Sequence, residues 1–165
     1  MISRELREAV RRAYDFRCGY CGVHENEVGS ELEIDHFCPL AADGSDELSN
    51  LVYCCSACNR NKSDYWPEDE TRRLLHPQRD QMERHLREEG NGRLVALTER
   101  GALHLRRLRL NRPQLIATRL QREQRRIELQ EIAALREEIA RINQHRAELE
   151  ARLQAVLDQL VQRND

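Results

Sequence analysis

Two pairs of cysteines, Cys18/Cys21 and Cys55/Cys58, stand in Cys-x-x-Cys spacing with thirty-three residues between the pairs. Thiolates are soft ligands, and two such knuckles supply the four sulfurs of a tetrahedral structural zinc site. A redox Cys-x-x-Cys ordinarily occurs once, beside a thioredoxin-like pattern that this chain lacks, so zinc is the stronger reading. Cys38 and Cys54 fall outside the symmetric spacing and read as buried free thiols. Between and beside the pairs lies a second set: Asp35-His36, then Asn50 fourteen residues after His36, Asn59 nine further on, and Lys62. A carboxylate and an amide oxygen suit a hard cation such as Mg²⁺ or Mn²⁺. A neutral imidazole beside them can take a proton from water. The remaining histidines, at 24, 76, 85, 104 and 145, read as structural or exposed.

The elements that must position these residues are readable from periodicity and caps. Residues 4 to 14 are helical, with Ser3 as cap and Leu6, Val10 and Ala13/Tyr14 on one face. ELEIDHF at 31 to 37 alternates as a strand, 38 to 49 carries turn residues, and NLVYC at 50 to 54 forms a second strand. A short helix runs from about Ser56 through Lys62, so zinc would tie its start to the upstream knuckle. Asp35 and His36 are adjacent on a strand and point to opposite faces unless the strand ends there. Residues 70 to 89 read as helix broken at His76-Pro77, 93 to 98 as strand, and 99 to 110 as helix capped by Thr98. Asn111 reads as the cap of a last helix with Pro113 in its first turn.

That helix carries Ile132, Leu135, Ile139, Ile142, Arg146, Leu149, Leu153, Val156 and Leu160 at alternating spacings of three and four. With Ile132 at position a, a parallel in-register pair sets Glu131 against Arg136 and His145 against Glu150. A coiled-coil homodimer, or a protein partner through the same seam, is the expectation; folding back on residues 70 to 120 suits so narrow a stripe less well.

Length and charge bound the rest. The chain has 165 residues and a net charge of −2, which admits one medium domain, or a small one with an extension, and argues against a generic nucleic-acid coat. Divided by segment the balance changes. Residues 1 to 67 have seven basic and twelve acidic side chains, 68 to 126 fifteen and nine, and 127 to 165 five and eight. Within 104 to 126 eight arginines, Arg106, Arg107, Arg109, Arg112, Arg119, Arg122, Arg125 and Arg126, face Glu123 as the single acid. They are candidate phosphate contacts, although a chain with 26 arginines and one lysine would scatter arginine widely. No apolar run reaches the roughly 18 residues of a membrane span, and the N-terminus lacks a signal peptide's apolar stretch. A cytoplasmic protein is expected.

Taken together, CxxC, IDHFxPLxxxG and NLVYCCxxCNxxK over residues 12 to 66 resemble the HNH nuclease family, in its form with a four-cysteine zinc site and Asn at the third motif position. The resemblance implies a ββα-metal unit with zinc knuckles at 1 to 67; with the arginine-rich helical and short-strand extension read from charge at 68 to 126 and the coiled-coil helix read from periodicity at 127 to 165, an α+β fold is expected. It implies His36 as general base, Asp35 and Asn59 as ligands of one catalytic Mg²⁺ or Mn²⁺, Asn50 as the residue orienting the His36 loop, and Lys62 as a phosphate contact. The implied activity is endonucleolytic hydrolysis of DNA phosphodiesters leaving 5′-phosphate and 3′-hydroxyl ends, with a role in phage defence or restriction as family analogy. The competing readings are an RNA-cleaving nuclease and a non-catalytic zinc-ribbon adaptor that binds nucleic acid.

Overall fold

The computed structural model describes residues 2–162, and the chain divides into two compact units, Met1–Leu120 and Gln121–Asp165. In the first unit, helix α1 (Arg4–Ala13) starts where the Ser3 hydroxyl accepts the Leu6 N–H at 3.1 Å. Its Val10 is fully buried. Asp15 and Phe16, both at positive φ, then turn the chain sharply into the first knuckle, and a single helical turn, α2 (Glu25–Val28), follows.

Strand β1 (Glu33–His36) pairs antiparallel with β2 (Leu51–Cys54) in the register Glu33↔Cys54, Ile34↔Tyr53, Asp35↔Val52 and His36↔Leu51. All four β2 residues are buried. That burial explains why LVYC is an unbroken apolar run and not an alternating one. Gly44 lies in the loop between the strands, where a Cβ would collide with the Cys38 carbonyl oxygen; only glycine lets the loop close so tightly on itself. Helix α3 (Ser56–Lys62) follows β2 directly and stops at Ser63, whose φ is 52°.

Past residue 67 the structure corrects the sequence reading. The expected helix over 70 to 89 is a 3-10 turn (Glu70–Arg72), one helical turn α4 (Met82–His85), and a strand β3 (Leu86–Glu88). This strand pairs antiparallel with β4 (Leu94–Ala96), Arg87 opposite Val95. The helical propensity of LREE loses to pairing across the turn, where Gly92 takes φ 73° and its N–H reaches the Glu89 carbonyl at 2.8 Å. Helix α5 (Glu99–Arg107) begins as expected, Thr98 accepting from Gly101 N at 3.0 Å.

Helix α6 runs without a break over Pro113–Gln162. Asn111 is not its side-chain cap: the amide brackets β4, accepting from Leu94 N and donating to Leu94 O, both at 2.8 Å. In the second unit Ile132, Leu135, Ile139, Ile142, Leu149, Leu153 and Val156 are all exposed; the Leu160 side chain lies outside the described residues, as do residues 163–165. No helix among the described residues is long and apolar enough to cross a membrane.

His104 sits fully buried on α5. Its Nδ1 accepts the Leu75 N–H at 3.1 Å, and its Nε2 has no hydrogen-bond partner among the described residues. Burial, with Arg100 next, pushes its pKa down from 6.5 to about 4. A depressed histidine pKa means the unfolded chain binds the extra proton first, so stability is lost as pH falls below about 6.5 and levels off near 4. Chemical denaturation should therefore show about 3 kcal/mol less stability at pH 4 than at pH 7.5 from this group. His104→Asn should flatten that part of the profile, and an unchanged slope in the variant would refute the assignment.

Candidate functional site

The four knuckle sulfurs converge. Cys18 and Cys21 occupy the tight turn after α1, closed by Gly22 N to Cys18 O at 2.7 Å and pinned to β2 by Gly19 N to Tyr53 O at 2.8 Å. Cys55 and Cys58 sit at the start of α3, and all four Sγ atoms lie within 4.8 Å of one another. The Cys21 and Cys55 sulfurs are 3.8 Å apart. A Zn–S bond of about 2.3 Å gives a tetrahedron with edges of about 3.8 Å, so the donor set fits zinc. Burial pushes the Cys18 thiol up, while hydrogen bonding from Cys18 and Cys21 holds Cys55 well below the usual thiol range. The sulfurs thus share protons in a space where a dication would replace them. Cys54 is buried outside the cluster, and Cys38 is half-buried with its thiol toward the Ala42 carbonyl.

Asp35, His36, Asn59 and Lys62 line one cleft of about 360 Å³ together with Ile34, Pro39 and Ser63. Asp35 is 7% exposed; its Oδ2 accepts from Tyr20 Oη at 2.6 Å and its Oδ1 from Lys62 Nζ at 3.0 Å. Burial raises its pKa, and the Lys62 ammonium opposes the rise. Each carboxylate oxygen keeps a second lone pair for a cation. Lys62 itself is 1% exposed and donates also to the carbonyls of His36 at 2.7 Å and Ser63 at 3.3 Å. Three acceptors around one point match the three donors of an ammonium and not the flat fork of a guanidinium. In a chain with 26 arginines, that geometry is a physical reason for the one lysine to stand here.

His36 Nε2 lies 2.7 Å from Asp46 Oδ1. A carboxylate can only accept, so Nε2 carries the proton and the Nδ1 lone pair is left as the basic position. Asn50 joins both sides of the loop after His36, accepting from Cys38 N at 2.8 Å and donating to Cys38 O at 3.0 Å and Ser45 O at 2.9 Å. It lines a separate cleft with Phe37, Trp66 and Arg73. Asn59 Nδ2 donates to Glu33 Oε2 at 2.7 Å, and Glu33 shares the β1 face of Asp35, two residues on.

The eight arginines read as one patch are placed very differently. Arg106, Arg109, Arg125 and Arg126 are exposed, and Arg122 is half-buried. Arg126 pairs with Glu123. Arg107 donates to Lys62 O at 3.1 Å and stacks over Tyr65. Arg119 is buried, donating to Gly92 O at 2.8 Å and Leu110 O at 2.6 Å, and Arg112 faces the cysteine cluster. The sequence reading missed Tyr20, Glu33 and Asp46. Strand alternation could have found Glu33; nothing in the spacing marks Tyr20 or Asp46, which reach Asp35 and His36 from the knuckle and the loop.

Residues 18–65 match the family model described as HNH endonuclease, the family that the motifs of this segment resemble. The chain is 27% identical over 146 residues to Septu protein PtuA of Bacillus mycoides (strain KBAB4), with 70% of this chain and 20% of that protein covered. It spans about a fifth of the length of that relative. No solved structure matches.

The buried pair dictates a stability cycle. Lys62→Met should cost about 3–5 kcal/mol in urea unfolding, because it strands a buried carboxylate, and Asp35→Asn in the same chain should recover most of the loss. Additive losses in the double variant would show that the two side chains are not coupled.

Proposed function

We propose that the chain is a metal-dependent HNH endonuclease that hydrolyses phosphodiester bonds in DNA. The observation that carries the reading is the single cleft gathering Asp35, His36 and Asn59, inside the segment that matches the family, with the His36 ring held by Asp46. Asp35 and Asn59 would hold Mg²⁺ or Mn²⁺, which when bound offsets charge on the scissile phosphate and the departing 3′ oxygen. His36 Nδ1 takes a proton from the attacking water while Asp46 keeps the ring oriented and stabilises the imidazolium. Asn50 holds the loop that carries His36 and Asp46 to one side of the hairpin. Lys62 keeps Asp35 ionised, and the exposed Arg106, Arg109, Arg125 and Arg126 supply phosphate contacts. The four-cysteine zinc fixes the helix that presents Asn59.

A cytoplasmic setting accords with free cysteines, four of them grouped as zinc ligands would be. The likeness to a Septu protein supports a place in phage defence. The exposed seam from Ile132 to Val156 supports a parallel homodimer through the last helix. One observation favours the non-catalytic adaptor: Asp35 already has a cationic partner in Lys62.

Plasmid nicking in Mg²⁺ or Mn²⁺ tests the enzyme, with single-stranded DNA and RNA beside it to identify the substrate. His36→Ala should lower the rate roughly 10²–10⁴-fold, and Asp46→Asn at least about tenfold. Undiminished nicking by His36→Ala would sink the assignment, and calorimetry finding no Mg²⁺ or Mn²⁺ binding to the zinc-loaded protein would favour the adaptor. For the seam, sedimentation at micromolar concentration should give twice the 19.4 kDa chain mass, reverting to one chain in Ile139→Asp. A wild-type monomer would assign the seam to a different protein.

A further inference from the structure

The cysteine cluster has a neighbour from the far side of the sequence. Arg112 Nη2 lies 3.5 Å from the Cys58 sulfur, 3.7 Å from Cys55 and 3.9 Å from Cys21. Three nearly equal distances to three sulfurs of one tetrahedron put the nitrogen over the face they define, with Cys18 at the opposite vertex. Cys18 is 1% exposed, and Cys21, on the arginine's face, is the least buried of the four. The guanidinium therefore covers the side of the cluster from which solvent, a chelator or an oxidant would come.

Charge gives this placement its energy. Four thiolates around Zn²⁺ leave a net charge of −2 in a largely buried site, and burying an uncompensated charge is expensive. Arginine stays protonated at every working pH and is less strongly hydrated than an ammonium, so it pairs with a buried anion at low desolvation cost. N–H donation to sulfur also withdraws electron density from the thiolates, slowing their protonation and attack on electrophiles.

The surrounding structure fixes the arginine in this position. Its own Nη1 donates to Leu108 O at 3.2 Å, and Leu108 O accepts from Asn61 of the zinc-bearing helix at 3.1 Å. Arg107 donates to Lys62 O on that same helix at 3.1 Å. On the other side Asn111 clamps β4. The chain from the end of α5 to α6 is thus tied to α3 at two points and to β4 at a third, and at Arg109 it takes a φ of 51° that no glycine relieves. A residue held this firmly is a built part of the site.

We infer that Arg112 is the counter-cation and lid of the zinc–thiolate cluster, a residue that retains the metal, so that the segment after the HNH domain completes the domain's own zinc site. The same guanidinium is then not available to a phosphate. The inference rests on zinc loading, and metal content separates the two: purified protein without zinc would overturn both, whereas zinc present but lost from Arg112 variants at the wild-type rate would overturn the arginine's role alone.

The experiment is zinc transfer from the purified full chain to the chromogenic chelator 4-(2-pyridylazo)resorcinol, followed by absorbance, with iodoacetamide labelling of Cys21, Cys55 and Cys58 read by mass spectrometry. Arg112→Gln should release zinc at least about tenfold faster and expose the three thiols to labelling at a matching rate. Arg112→Lys, which keeps the charge and loses the flat donor pair, should fall between. Arg87→Gln, which removes an exposed charge elsewhere in the same unit, should release zinc as the wild type does; equal acceleration there would reduce the effect to net charge and overturn the proposal. Should Arg112→Gln not fold, Arg112→Lys decides: several-fold faster release supports the lid, and wild-type release refutes it.

Discussion

Four sulfurs from two distant turns must meet within a few ångströms, and most of the first unit answers to that requirement. The hairpin is two short strands, too little to be stable alone in water, and the helix that follows it has seven residues, well below the length at which an isolated helix persists. Joined at the cysteines, knuckle, strand and helix become one body. The knuckle is also knotted to β2 through the Gly19 to Tyr53 backbone bond, so that pulling the sulfurs together sets the strand register as well. In a small, aromatic-poor core a metal held by these sulfurs would supply the constraint that a larger domain draws from apolar volume.

From that body the cleft inherits its order. Asn59 follows Cys58 by one residue, and Lys62 lies one turn further along the same helix. Tyr20 stands between the first two cysteines and delivers its hydroxyl to Asp35. The carboxylate is therefore approached from both halves of the sulfur cluster, by a phenol from one knuckle and by an ammonium from the helix behind the other. Its environment is low in dielectric and each of its oxygens accepts one hydrogen bond, which makes its position well determined and its charge dependent on neighbours.

Local signals were legible where local physics decides. Ser3 and Thr98 cap the helices they precede, ELEIDHF and NLVYC make the hairpin, and the helix over 56 to 62 ends on the residue read from the sequence. Asp35, His36, Asn59 and Lys62 came out of motif spacing, and they share a cleft. What the sequence hid is what long-range contact decides. LREE has helical composition but pairs across a Gly-Asn-Gly turn; Asn111 has a cap's chemistry but serves a strand; and eight arginines in one stretch separate into exposed, stacked and buried when the chain folds. Their identity says that they are cations, and only tertiary placement says which of them meets a carbonyl, an aromatic ring or a sulfur.

The buried ammonium of Lys62 has one more consequence. It is the only lysine in the chain and is 1% exposed, so the folded surface offers acylating reagents, aldehyde cross-linkers and lysine-modifying enzymes no side-chain amine. Amine chemistry at this residue would become a clock for opening of the hairpin, recording each excursion in which the strand and helix part company.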